Sequence, residues 1–138
     1  MKEIVAMCGF RCDICPAYAP NIGTDEDARK TCEGFRACYG FQLKPGEVAC
    51  AGCLNEGRHI DADCPVRPCV MEKGLETCAQ CSDFDACAKL KTRMDFLEPL
   101  PEKLSRIPKE DFLKFVAPFQ ARPRMLALRE AFLRSKGT

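Results

Sequence analysis

CAGCLNEGRHIDADCPVRPCVMEKGLETCAQCSDFDAC, residues 50–87, decides how this chain folds. It holds two Cys-x-x-Cys pairs, Cys50/Cys53 and Cys78/Cys81, with Cys64, Cys69 and Cys87 between and after them. Two thiolates at that spacing on a tight turn can aim at one point about 2.3 Å from a zinc ion. Gly52, Gly57, Pro65, Pro68 and Gly74 punctuate the stretch, so long regular elements are not expected in it. A short helix is predicted over residues 65–73. A second is predicted to start near Ser82 or Asp83, with Ala86, Cys87 and Leu90 on one face.

Working outward, five more cysteines make twelve in 138 residues. Cys8, Cys12 and Cys15 stand at i, i+4 and i+7, one face if the segment is helical. Pro16 biases Cys15 away from helical geometry and marks a break or a new start. Residues 25–39 read as a helix. Thr24 caps it, Asp25, Glu26 and Asp27 fill its first turn, and Gly40 stops it. Ala28, Cys32, Phe35 and Tyr39 form its apolar stripe, while Gly34 weakens the pattern. Cys32 and Cys38 belong to this helix and are expected to be buried as small hydrophobes rather than to ligate.

Residues 92–138 contain no cysteine. Pro99, Pro101 and Pro108 suggest an extended connection. Asp111, Phe112, Phe115 and Val116 suggest a short helix ending near Pro118. Pro123 suits the first turn of a last helix reaching about Ser135, with Gly137 beyond it. Met125, Leu128 and Phe132 share one face there, flanked by Leu126 and Leu133. That face is expected to pack on the cysteine-rich half, because a metal-rich half has little core of its own; a partner-binding or dimerising helix is the alternative. The expected organisation is residues 1–91 as a cysteine-rich metal-binding region with residues 92–138 as a helical extension, forming one unit. The fold class is mainly α: a small metal-stabilised domain with irregular zinc-binding loops and C-terminal helices.

Only four apolar residues run together near the start, Ile4 to Met7, so neither an export signal nor a membrane span is expected. That places the chain in the cytoplasm, where clustered cysteines point to metal or redox chemistry rather than disulfides. The formal charge is +1. With two four-thiolate zinc sites it falls to roughly −3, which argues against charge-driven binding of nucleic acid. Arg11, Arg58, Arg67 and Lys73 either offset that charge by bonding to sulfur or lie solvated on the surface.

Three thiol groups remain once Cys32 and Cys38 are set aside. Cys50, Cys53, Cys64 and Cys69 can close a tetrahedral site. The triplet Cys78, Cys81 and Cys87 needs a fourth ligand, which the N-terminal triplet can supply, and crossed arrangements are equally legal. Cys50, Cys53, His59 and Cys64 resemble a zinc knuckle, but the loop before the histidine is one residue longer than in that motif and no aromatic residue stands between the cysteines for base stacking. His59 is otherwise an exposed loop residue. The N-terminal Cys-x-x-x-Cys-x-x-Cys also matches radical S-adenosylmethionine enzymes, whose barrel this chain is too short to build, and ferredoxin-type ligation. Iron–sulfur binding therefore rivals zinc.

CGFRCDICPAY, CAGCLNEG, CPVRPCVMEKG and CAQCSDFDAC, in that order, resemble domain-of-unknown-function family 3795 of bacteria and archaea over residues 5–90. Zinc binding has been suggested for that family, and no activity is established. The resemblance implies that Cys8, Cys12, Cys15, Cys50, Cys53, Cys64, Cys69, Cys78, Cys81 and Cys87 are the family cysteines and metal ligands. Cys32, Cys38 and His59 depart from the pattern.

One histidine among many cysteines suits closed structural sites better than an open catalytic one. A cysteine–histidine catalyst would need His59, with no residue assignable to orient it. Asp61 and Asp63 read as solvated loop acids. The sequence thus points to a zinc-binding protein of unknown role that engages a protein partner. The alternatives are an iron–sulfur or thiol redox protein, and a metalloenzyme or nucleic-acid-binding protein.

Overall fold

In the computed structural model, which describes residues 3–98 and 101–136, helix α1 spans Asp25–Tyr39. Its ends follow the sequence. Asp27 N–H donates to Thr24 Oγ1 at 3.1 Å, and three acids sit at the positive end of the helix. Gly40 closes it at φ 75°, its N–H bonded to the Arg36 carbonyl at 2.8 Å. Five more α-helices follow among the described residues: α2 (Val66–Glu72), α3 (Ala88–Met94), α4 (Pro101–Leu104), α5 (Lys109–Phe115) and α6 (Ala121–Lys136). One 3-10 turn lies between α1 and α2, two between α2 and α3, and one between α5 and α6. Extended pairing among the described residues is confined to two isolated bridges, Val5 with Arg11 and Tyr18 with Cys50. The fold is mainly helical and cysteine-rich.

The helix predicted from Ser82 or Asp83 is broken in two. Phe84–Ala86 forms a 3-10 turn, and α3 begins only after Cys87, whose sulfur accepts the Leu90 N–H at 3.5 Å. The predicted face breaks with it: Ala86 is exposed, and Phe84 fills the buried position beside Leu90. The connection before Pro108 contains the single turn α4; Pro99 and Gly137 lie outside the described residues. Helix α6 starts two residues before Pro123 and buries Ala121 and Met125. Leu128, placed on the buried face from the sequence, is exposed, since the helix turns its Ala121–Met125 edge inward instead.

Two small cores result. The first gathers Ala6, Met7 and Cys8 with Val66, Val70, Phe84, Leu90 and Met125. The second gathers Ala17, Ala28, Cys32, Phe35, Cys38, Val48 and Phe115. Cys32 and Cys38 are thus buried on α1. Met125 of α6 reaches across to the N-terminal loop, where a Cβ on Gly9 (φ 99°) would lie 2.4 Å from its Cγ.

Gly34 has a packing reason. A Cβ there would lie 1.9 Å from Cζ of Phe115, so α1 and α5 meet with the ring seated directly on the glycine. Helix propensity alone would have Gly34→Ala stabilise by about 1 kcal/mol. Overpacking reverses the sign: we expect Gly34→Ala to lower stability by about 1–3 kcal/mol, read as a lower denaturation midpoint at unchanged slope. An equal or higher midpoint would show that the two helices do not approach so closely.

Candidate metal centre

The N-terminal cysteines sit on consecutive turns, not on a helix face. Ala6 N–H bonds to the Phe10 carbonyl at 2.7 Å around Gly9, and Cys12 N–H returns to the Ile4 carbonyl at 3.0 Å. Asp13 anchors this loop from within. Its carboxylate accepts Ile4 N–H at 2.9 Å and two Arg11 guanidinium bonds at 2.8 and 2.6 Å, while 7 % of the residue remains exposed. The Arg11 bond, reinforced by the Ile4 amide, holds the Asp13 carboxyl down at about 2. Arg11 is therefore committed to Asp13 and Glu3 rather than to a sulfur.

The Cys50–Cys53 turn is fixed at both ends. Cys50 N–H donates to the Ala17 carbonyl at 2.7 Å, and Ala19 N–H donates to the Cys50 carbonyl at 2.8 Å. Gly52 lies at φ 92° with its N–H on the Cys50 sulfur at 3.5 Å. His59 is a half-buried clamp, contrary to the exposed loop position expected of it. Its Nε2 faces the Gly52 carbonyl at 2.9 Å and the Asn55 carbonyl at 2.8 Å. Two acceptors require Nε2 to carry the proton, so that nitrogen does not ligate. Arg67 also serves the loop backbone, reaching the Cys53 carbonyl at 2.8 Å. Arg58 pairs at the surface with Glu47 at 4.0 Å.

At the seam between the two cores lies a cavity of about 100 Å³ lined by six thiols: Cys8, Cys12, Cys15, Cys50, Cys53 and Cys64. Phe10, Ile60 and Phe119 supply apolar wall, and Phe10 and Phe119 meet edge-on at 5.1 Å. Backbone N–H groups address the sulfurs: Phe10 that of Cys8, Cys53 that of Cys12, Ala17 that of Cys15 and Met7 that of Cys53. Such donors stabilise thiolate more than thiol. Burial nevertheless dominates, pushing Cys15 to about 12, Cys53 to about 11, and Cys8 and Cys12 upward as well. Without a cation these groups keep their protons. Arg93 lies on the same wall with 16 % of its side chain exposed, paired with Asp61 at 2.7 Å. Asp61 is therefore engaged rather than simply solvated. Arg93 Nε is buried with no hydrogen-bond partner.

A second group surrounds Cys78, whose thiol is pushed to about 12 by burial and has Cys87, Cys81, Cys69 and Cys64 as ionisable neighbours. Cys64 lines the seam cavity with Cys50 and Cys53, whereas Cys69, on the middle of α2, does not. Cys81 is the exception, held below the ordinary thiol range by the Asp83 N–H and then by Lys73. Lys73 Nζ stands 3.1 Å from its sulfur and 3.1 Å from Asp83 Oδ2. Of the four cations singled out in the sequence, Lys73 is the one with a bond to sulfur.

In softness and number these donors suit a thiophilic ion. As placed, they do not converge: among the described residues, no three His, Cys, Asp or Glu side chains are gathered closely enough to hold a metal ion. None of the twelve cysteines is in a disulfide. Sequence reasoning missed Arg93, Phe10, Phe119 and Ile60, which reach the cavity through tertiary packing and leave no local signature.

Residues 4–92 match the family model described as "Protein of unknown function (DUF3795)", and the chain belongs to that family. No curated protein and no solved structure matches it.

Asp13 gives this site an acid limit. Its folded-state affinity for protons is lowered, so its stabilisation is present above the ordinary carboxylate range and is lost as pH falls from about 4 through about 2. Asp13→Asn should cost about 1–3 kcal/mol at neutral pH and remove that limb of the stability curve. Superimposable acid titrations of the two proteins would contradict this role.

Proposed function

We propose that this protein holds zinc through clustered cysteine thiolates in structural centres, and that the fold so stabilised is a protein-interaction module. The observation that carries the reading is the gathering of six thiols in one cavity at the seam of two cores, with four more around Cys78 and Cys64 adjoining both groups. Neither core is large, and at the cavity they meet through Phe10 and Phe119. Zinc supplies there the bonds that a small core lacks. Unbridged cysteines suit a reducing compartment, and among the described residues no helix is long and apolar enough to cross a membrane. The interaction role draws on α6, where Leu126 and Leu133, seven residues apart on one face, are 48 % and 51 % exposed. With His59 Nε2 bound to two carbonyls, no cysteine–histidine nucleophile is assigned.

Elemental analysis and an absorption spectrum of protein purified without air test the proposal. Zinc without visible absorption is the expected result. Chelator should then unfold the chain rather than merely silence it. Cys53→Ser should lose metal and cooperative unfolding, whereas Cys32→Ser should keep both. Iron with acid-labile sulfide would replace the zinc reading with a redox one, and equal damage from the two variants would undo the separation of ligands from core cysteines.

A further inference from the structure

Five of the chain's nine phenylalanines stand in one closed circuit of contacts. Between ring centres, Phe10 meets Phe96 at 5.9 Å, Phe96 meets Phe41 at 6.3 Å, and Phe41 meets Phe35 at 6.1 Å. Phe35 then meets Phe119 at 6.0 Å, and Phe119 returns to Phe10 at 5.1 Å. The rings come from five places: the N-terminal turn, α1, the loop after it, the segment after α3, and the 3-10 turn before α6. Protein interiors pack at the density of organic crystals, so rings that serve only as core close on one another. These five instead line a cavity of about 430 Å³. Its exposed lining residues, Phe41, Gln42 and Asp61, mark the mouth. Of the ten candidate metal ligands Cys15 alone lines it, so the cavity does not depend on which metal the thiols take.

Size, wall and polarity each narrow the occupant. An apolar cavity of ~150 Å³ takes a single benzene ring, so this one has room for a fused pair of rings with a polar end. The wall offers ring edges and faces, which attract another aromatic ring in edge-on and offset arrangements beyond what area alone gives. Arg93 and Asp61 form the polar part of the wall and pair with each other at 2.7 Å, so it carries no net charge. Arg93 donates from its other terminal nitrogen to Thr92 at 3.0 Å, and its Nε–H is buried with no partner. A buried donor of this kind calls for an acceptor. A carbonyl oxygen supplies one, whereas a carboxylate would also bring a like charge up to Asp61.

We infer that this cavity binds an uncharged, fused-ring aromatic molecule bearing a carbonyl group. Its rings lie among the five phenylalanines, and its carbonyl oxygen accepts the Arg93 Nε–H.

2-Naphthamide is the probe, titrated into the whole chain as purified and followed by NMR. Saturable binding with a Kd below about 1 mM is expected, with nuclear Overhauser contacts from the naphthalene protons to the rings of Phe10, Phe35 and Phe41. Phe41→Ala trims a ring at the mouth and should weaken binding about threefold to tenfold. Arg93→Met keeps an apolar stem, removes the Nε–H and should weaken it about tenfold. 2-Naphthoate and the saturated decahydro-2-naphthamide should both bind more weakly than the probe. No saturation up to the probe's solubility, or contacts to protons away from the five rings, would overturn the site. Equal affinity for 2-naphthoate would overturn the choice of an uncharged ligand, and equal affinity for the saturated amide the choice of an aromatic one. Unchanged binding in Arg93→Met would remove the Nε–H from the recognition. The Overhauser contacts are read on the unaltered chain, so they decide the site even where a variant fails to fold.

Discussion

Two small apolar clusters meet at a seam lined by six thiols, and the packing of that seam is the constraint the loops around it answer to. One cluster closes around Met125 and Val66, the other around Phe35 and Phe115, and the cysteines of the seam belong in part to each. Cys8, Cys12, Cys53 and Cys64 pack toward the first; Cys15 and Cys50 pack toward the second. The hydrophobic effect supplies the halves, and Phe10 against Phe119 joins them beside the thiols.

Hydrogen bonding prepares that join. The turns at Gly9 and Gly52 take left-handed backbone angles, and the amides of Phe10 and Gly52 then address sulfur rather than solvent. Asp13, His59 and Arg67 do the same work one layer out, each spending its polar atoms on loop backbone. The site therefore has an outer shell of polar groups that fix the loops around its thiols.

Much of this was legible in the chain. The bounds of α1 could be read from Thr24 and Gly40, and those of α2 from Pro65 and Gly74, because caps and breakers act locally. Cys32 and Cys38 could be placed inside α1, where both are buried, because the caps that bound the helix enclose them. What could not be read was decided at long range. Cys69, on α2, stays off the wall of the seam cavity that Cys50, Cys53 and Cys64 share. Gly34 reads as a flaw until Phe115, far along the chain, is found seated on it. Leu128 lies on the right stripe for burial but is exposed, since the rotation of α6 is set by Met125 against Gly9. Arg93 and Asp61 pair across more than thirty residues with no motif to announce them.

The wall of the seam cavity has a direction in time. All six of its thiols, and every other lining residue except Phe119, lie at or before Arg93. Met125, which fills the hollow over Gly9, comes later still. In vectorial synthesis the thiols are therefore made before the helix that packs on Gly9, and the chamber stands nearly whole, one aromatic wall short, while the C-terminal helices do not yet exist.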